Sequence, residues 1–94
     1  MELEWDENKR KQTLEERGLD FADVIRFEFE QAMTLPDRRK DYGEERFNSM
    51  GYLDGVLCNV CWTTRNGRFR VISLRKCNER ERTKYEKASG ATNA

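Results

Sequence analysis

Five cations fall within twelve residues in the last third of the chain: Arg65, Arg68, Arg70, Arg75 and Lys76, interleaved with Phe69 and preceded by Trp62. A guanidinium grips phosphate oxygens through paired hydrogen bonds and stays charged at any relevant pH, so this run suits a phosphodiester. The same composition also describes a solvated charged face. Glu81 and Tyr85 follow, four apart and so on one side of a helix. Glu81 reads either as a proton carrier or as the closing member of a capping box, and Tyr85 either as a proton carrier or as a ring packed on a sheet. The chain contains no histidine. That removes Ser-His, Cys-His and paired-histidine chemistry, leaving carboxylates, Tyr, Lys and Arg to move protons and stabilise charge.

Cys58 and Cys61 form a C-x-x-C pair, a spacing known from zinc and redox sites. On a strand, however, residues three apart point to opposite faces, and no second pair or histidine completes a ligand set. Packing is the expected role of both, and of Cys77. No dense acidic cluster suits an oxygen-ligated ion. No metal site and no cofactor are expected.

The elements that must carry these residues are legible from turns and periodicity. Leu3 and Trp5 alternate with Glu2 and Glu4, as in a short edge strand. Asp6 can cap a polar helix to about Arg17, with Gly18 past its end. Asp20 is expected to start a second helix whose Phe21, Val24, Ile25 and Phe29 make one stripe over the core. A strand over 32–35 halts at Pro36, and 37–45 reads as an exposed loop. Asp54-Gly55 and Asn66-Gly67 then separate strands 46–53, 56–65 and 68–75, because both pairs accept the positive φ angles of tight hairpin turns. In the middle strand Val56, Cys58, Val60 and Trp62 should face the core, and Asn59, Thr63 and Arg65 the solvent. Asn78 caps a last helix from Glu79 to about Ala88. The expected fold is α+β: one small domain over 1–88 with a mostly antiparallel sheet, two N-terminal helices and one C-terminal helix on one side of it, and a flexible tail over 89–94.

With 94 residues, 36% apolar and 38% charged, the chain has room for one thin core. The net charge of zero conceals an asymmetry. Residues 1–30 hold 5 Lys/Arg against 10 Asp/Glu, and residues 65–87 hold 9 against 3. A polyanion partner depends on such a local patch, not on the total. No apolar run is long enough for a membrane span, no secretory signal is evident, and the odd cysteine count suits reduced thiols, so a cytoplasmic protein is expected.

Three segments together resemble the BrnT family of bacterial type II toxins: Trp5-Asp6-Glu7-Asn8-Lys9, then Arg17-Gly18-Leu19-Asp20-Phe21-Ala22-Asp23, then R-F-R-V-I-S-L-R-K-C-N-E-R-E-R-T-K-Y over 68–85. The resemblance spans about residues 3–86, and its closing segment is the specific part. It implies a RelE-like ribonuclease fold, RNA cleavage that arrests translation, and neutralisation by a BrnA-like antitoxin whose DNA-binding part acts on the operator of the shared operon. The family commonly has Lys-His-Gly where this chain has Glu16-Arg17-Gly18, so no histidine role transfers.

The expected function is thus a metal-independent endoribonuclease that uses the 2′-hydroxyl of RNA as nucleophile. Arg65 and Arg75 would stabilise the transition state, with Arg70 or Ser73 as orienting groups. Either Glu81 or Tyr85 would act as base, and Arg68, Lys76 and Trp62 would contact RNA. Arg70 lies one strand face away from Ser73 and Arg75, so convergence of the three requires a bulge or an edge position. A non-catalytic RNA- or protein-binding module using the same basic face is the alternative. The expected partner complex contains two copies each of toxin and antitoxin.

Overall fold

The structure, a computed structural model, describes residues 1–89. Strand β1 (Leu3–Trp5) leads into helix α1 (Glu7–Arg17), two short 3₁₀ segments (Phe21–Arg26 and Phe29–Gln31), strands β2 (Met33–Pro36), β3 (Phe47–Leu53), β4 (Val56–Arg65) and β5 (Arg68–Lys76), and helix α2 (Glu79–Ser89). The five strands form one sheet in the order β1-β5-β4-β3-β2. All neighbours are antiparallel except β1 and β5, which run parallel. The α+β class and the β3-β4-β5 meander agree with the sequence expectation. Both hairpins turn as their residues dictate: φ is 49° and 82° at Asp54-Gly55 and 54° and 75° at Asn66-Gly67.

The second helix is the first departure. Asp20 does cap it, accepting from Ala22 N–H at 3.0 Å, but the segment winds as a 3₁₀ helix and ends when Glu28 N–H donates to the Tyr52 carbonyl of β3. Three residues per turn align Phe21, Val24 and Phe27, and these three are buried. Ile25, placed in the stripe by a 3.6-residue repeat, instead points out with 52% of its surface exposed. Phe29 reaches the core from the next turn, its ring edge-on to Phe27, Trp62 and Phe69. The segment passes so close to β3 that a Cβ on Gly51 would sit 2.9 Å from the Ala32 Cβ.

The helices also flank both faces of the sheet, not one. The register puts Leu53, Cys58, Val60, Val71 and Leu74 on one face, where they form the main core with Phe21, Val24 and Phe27. Met50 and Leu57 lie on the other face and pack with Cys77 and with Tyr85 of α2. Cys58 and Cys61 are on opposite faces as strand geometry requires, and all three cysteines are free and buried. Ser49, fully buried among apolar side chains, is satisfied by the Trp62 indole N–H at 2.9 Å and by the Thr34 hydroxyl at 2.7 Å. The expected tail begins inside α2, since Ser89 closes that helix; the rest of it, 90–94, lies outside the described residues. Among the described residues no helix is long and apolar enough to cross a membrane.

Candidate functional site

The face of β5 that carries the arginines is set by one irregularity. Cys61 pairs with Ser73, but Trp62 pairs with Val71, so Ile72 is an extra residue in the ladder. This bulge restores Arg70 to the face of Ser73 and Arg75, which strict alternation would deny it. Sharing a face does not make the three converge. Arg70 and Arg65 line a cleft of about 120 Å³ together with Arg46 and Glu44, Ser73 opens on a cleft against Lys9 and Arg17 of α1, and Arg75 lines a separate groove beneath α2.

The expected basic patch is charge-matched. Arg65 meets Glu44 at 2.9 Å, Arg68 meets Glu2 at 3.1 Å and Arg70 meets Glu4 at 3.0 Å. The last pair follows from the parallel ladder, in which Glu4 stands opposite Arg70. Part of the acidic first third is therefore folded onto the basic last third, and the two do not form separate surfaces. These pairs are unequal. Arg68 and Glu2 are both more than half exposed, and such a pair contributes about 0–1 kcal/mol, too little to keep either from an incoming phosphate.

Arg75 is held differently. Its Nη1 and Nη2 donate to the two Glu81 carboxylate oxygens at 2.7 and 2.8 Å. Glu81 is in turn fixed by a capping box: it accepts from Asn78 N–H at 3.0 Å while its own N–H donates to Asn78 Oδ1 at 2.8 Å. The Arg75 guanidinium, with the Asn78 N–H in support, draws the Glu81 carboxyl down to about 2. A carboxylate so stabilised is a poor proton acceptor near neutrality. Tyr85 is 94% buried, its hydroxyl donates to the Gln31 carbonyl at 2.8 Å, and burial raises its pKa. Both side chains thus occupy the structural roles that the sequence allowed them, and the Tyr85 hydroxyl is committed away from the arginines.

Nothing in the residue pattern marks what shares the groove with Arg75. Residues 37–45 read as an exposed loop, yet Asp37 is buried, its side chain only 1% exposed. The hairpin ladder continues through Asp37 N–H to the Arg46 carbonyl at 2.7 Å, which turns the Asp37 side chain inward over β4. Its carboxylate accepts from Arg39 Nε at 2.9 Å and Nη2 at 2.7 Å, from Arg39 N–H and from the Tyr42 hydroxyl. These donors, Arg39 first, hold Asp37 well below the usual carboxylate range. The loop lies against Cys61 and Thr63, and these two and Asn59 are all buried although Asn59 and Thr63 were expected on the solvent face. Thr63 ties the loop down by donating to the Glu45 carbonyl at 2.6 Å.

The result is a groove of about 340 Å³ with Arg38, Arg39, Arg75 and Lys84 as cations, Asp37 and Glu81 as anions and Asn48 and Asn59 as amides. Two guanidiniums, each paired with a carboxylate, line it: Arg75, part-buried on β5, and Arg39, more exposed on the loop. The Nε–H of Arg75 and the Nη1 of Arg39 have no hydrogen-bond partner among the described residues. The groove can therefore seat an anion without breaking either clamp.

Of the remaining expected residues, Trp62 packs on the core face, stacked on Phe69 with ring centroids 4.6 Å apart, and is not brought to the arginines. Lys76 is exposed at the end of β5. Arg17, where the family commonly has histidine, donates to the Leu74 carbonyl at 2.9 Å and so ties α1 to β5. Burial raises the pKa of all three thiols, Cys77 to about 11, which leaves them protonated and unreactive. Among the described residues no group of three or more His, Cys, Asp or Glu is placed to hold a metal ion. A family model described as the ribonuclease toxin, BrnT, of type II toxin-antitoxin systems matches residues 5–81. No curated protein matches the chain.

Proposed function

The chain belongs to the BrnT family of ribonuclease toxins of type II toxin-antitoxin systems, and on that premise we propose that it cleaves RNA without a metal ion in the groove between Arg39 and Arg75. The observation that carries this reading is the pair of clamped guanidiniums with donors left over for a phosphate.

In the proposed reaction the 2′-oxygen attacks the adjacent phosphorus and the bond from phosphorus to the 5′-oxygen breaks, leaving a 2′,3′-cyclic phosphate and a 5′-hydroxyl. Arg75 and Arg39 stabilise the charge that builds on the non-bridging oxygens, where fixed donors are most effective. Glu81 and Asp37 are positioning residues that hold these guanidiniums in place. The 2′-hydroxyl proton goes to solvent hydroxide, because neither groove carboxylate is basic enough to take it near neutral pH. The Lys84 ammonium supplies a proton to the departing 5′-oxygen. Arg65 and Arg70 bind a neighbouring phosphate in their own cleft, with Arg68 and Lys76 as outer contacts and Ser73 at the strand edge.

Membership of a type II family implies an antitoxin partner. The proposed partner is BrnA-like, covers the arginine face, assembles with two copies of each chain and brings the complex to operator DNA. Cleavage of cytoplasmic RNA would arrest translation. Incubating purified protein with RNA, with and without a chelator, tests the reaction: fragments with 2′,3′-cyclic ends in both samples support it, and intact RNA with a gel shift supports the binding module instead.

A further inference from the structure

A second cavity, of about 450 Å³, adjoins the arginine groove. Pro36, Asp37 and Arg38 form a wall common to both. The cross-strand pair Pro36 and Phe47 lends it apolar surface. A second wall is the stack of Arg46 on Tyr42, with the guanidinium carbon 4.1 Å from the ring centroid. Flat surfaces of this kind accept the face of a nucleobase.

Its polar groups are unevenly committed. Glu44 is occupied by Arg46 and Arg65. The neighbouring Glu45 lines the same cavity, and its main chain is anchored through the Thr63 bond. Its exposed carboxylate has no hydrogen-bond or ion-pair partner among the described residues. An ionised carboxylate only accepts hydrogen bonds, so it favours a base edge with two adjacent N–H donors and repels one that presents carbonyl oxygens. Guanine offers that edge through N1–H and its exocyclic amine; uracil does not.

Resting on the ribonuclease reading above, we propose that this cavity is a base subsite that takes guanine next to the phosphate held by Arg39 and Arg75, with the Glu45 carboxylate as the selecting group. Arg38, on the common wall, lies between the base and the phosphate.

The test uses the full chain and short RNAs whose 2′-oxygens are methylated, which removes the nucleophile and leaves binding alone. Two oligonucleotides identical except for one guanine-to-uracil exchange are titrated by fluorescence anisotropy. The guanine form should bind about tenfold more tightly, and Glu45→Ala, at an exposed side chain, should reduce that ratio to about twofold or less. Equal binding of both forms, or a preference that survives Glu45→Ala, overturns the subsite. Mapping the ends of cleaved random-sequence RNA separates this idea from its premise. Cleavage without guanine enrichment overturns the subsite and leaves the ribonuclease reading standing, whereas selective binding with no cleavage supports the subsite and overturns the ribonuclease reading.

Discussion

The Arg75 guanidinium and the Glu81 carboxylate lie six residues apart and meet edge to edge through two hydrogen bonds of 2.7 and 2.8 Å, while the same carboxylate closes the first turn of α2. One side chain therefore starts a helix and aims a cation. Arg75→Ala should lower the cleavage rate by about 10²–10³ while leaving the circular dichroism spectrum unchanged. Arg75→Lys should recover little, because an ammonium cannot make the two-pronged contact. Full activity in a folded Arg75→Ala protein would remove the arginine mechanism.

Glu81→Gln separates positioning from proton transfer. Lost aim should reduce kcat by on the order of tenfold and leave the shape of the pH profile unchanged. The wild-type profile should rise steadily with pH from about 6 to 9, since hydroxide and not a side chain takes the proton. A bell-shaped profile whose acidic limb disappears in Glu81→Gln would restore Glu81 as the base.

The two clamps also set the acid stability. Glu81 is depressed to about 2 and Asp37 is lowered in the same direction. A depressed carboxyl contributes stability above its unfolded pKa, near 4, and loses it as pH falls through the folded value. Urea midpoints should therefore fall between about pH 4.5 and pH 2, and the drop should be smaller in Glu81→Gln. Equal acid sensitivity in both proteins would show that the pair carries no linked stability.

Chelators should leave cleavage intact, and the Cys58→Ser, Cys61→Ser double variant should lower the melting temperature without altering the rate per folded molecule. Stoichiometric zinc in the purified protein would contradict this.

Association with the antitoxin should quicken as salt is lowered, because screening weakens steering between exposed charges. In the complex, hydrogen exchange and chemical labelling should find Arg65 and Arg75 covered. A complex that leaves both accessible would place the inhibitory contact elsewhere.

What could be read in advance was local. Asp54-Gly55 and Asn66-Gly67 declare their turns through backbone conformation alone, so the meander and the alternation along β4 followed, but not which side chains stay wet: Asn59 and Thr63 are buried and Val56, expected in the core, is exposed. The 3₁₀ winding at 21–26 could not, because it is enforced from outside by the Glu28 bond to Tyr52. Asp37 was missed for a related reason: in a run of charged residues nothing marks the one carboxylate that a hairpin will turn inward. Arg39 enters the groove only through that burial, and Lys84 only through the placement of α2. The charge matching of Arg68 and Arg70 was hidden as well, since the parallel pairing of β1 with β5 joins residues sixty-six apart.

The bulge at Ile72 has a bearing on how this strand tolerates changes of length. Because Ile72 is the surplus residue, a chain lacking it could zip β5 regularly against β4, with Phe69 and Val71 still facing inward and Arg68 and Arg70 still facing out. Removing Arg70 or Ser73 would enjoy no such slack unless the bulge itself were spent to absorb the loss. The strand thus carries one residue of play at its midpoint, placed between the half that holds Arg70 and the half that holds Arg75, so a single deletion there can be absorbed without transposing inside and outside.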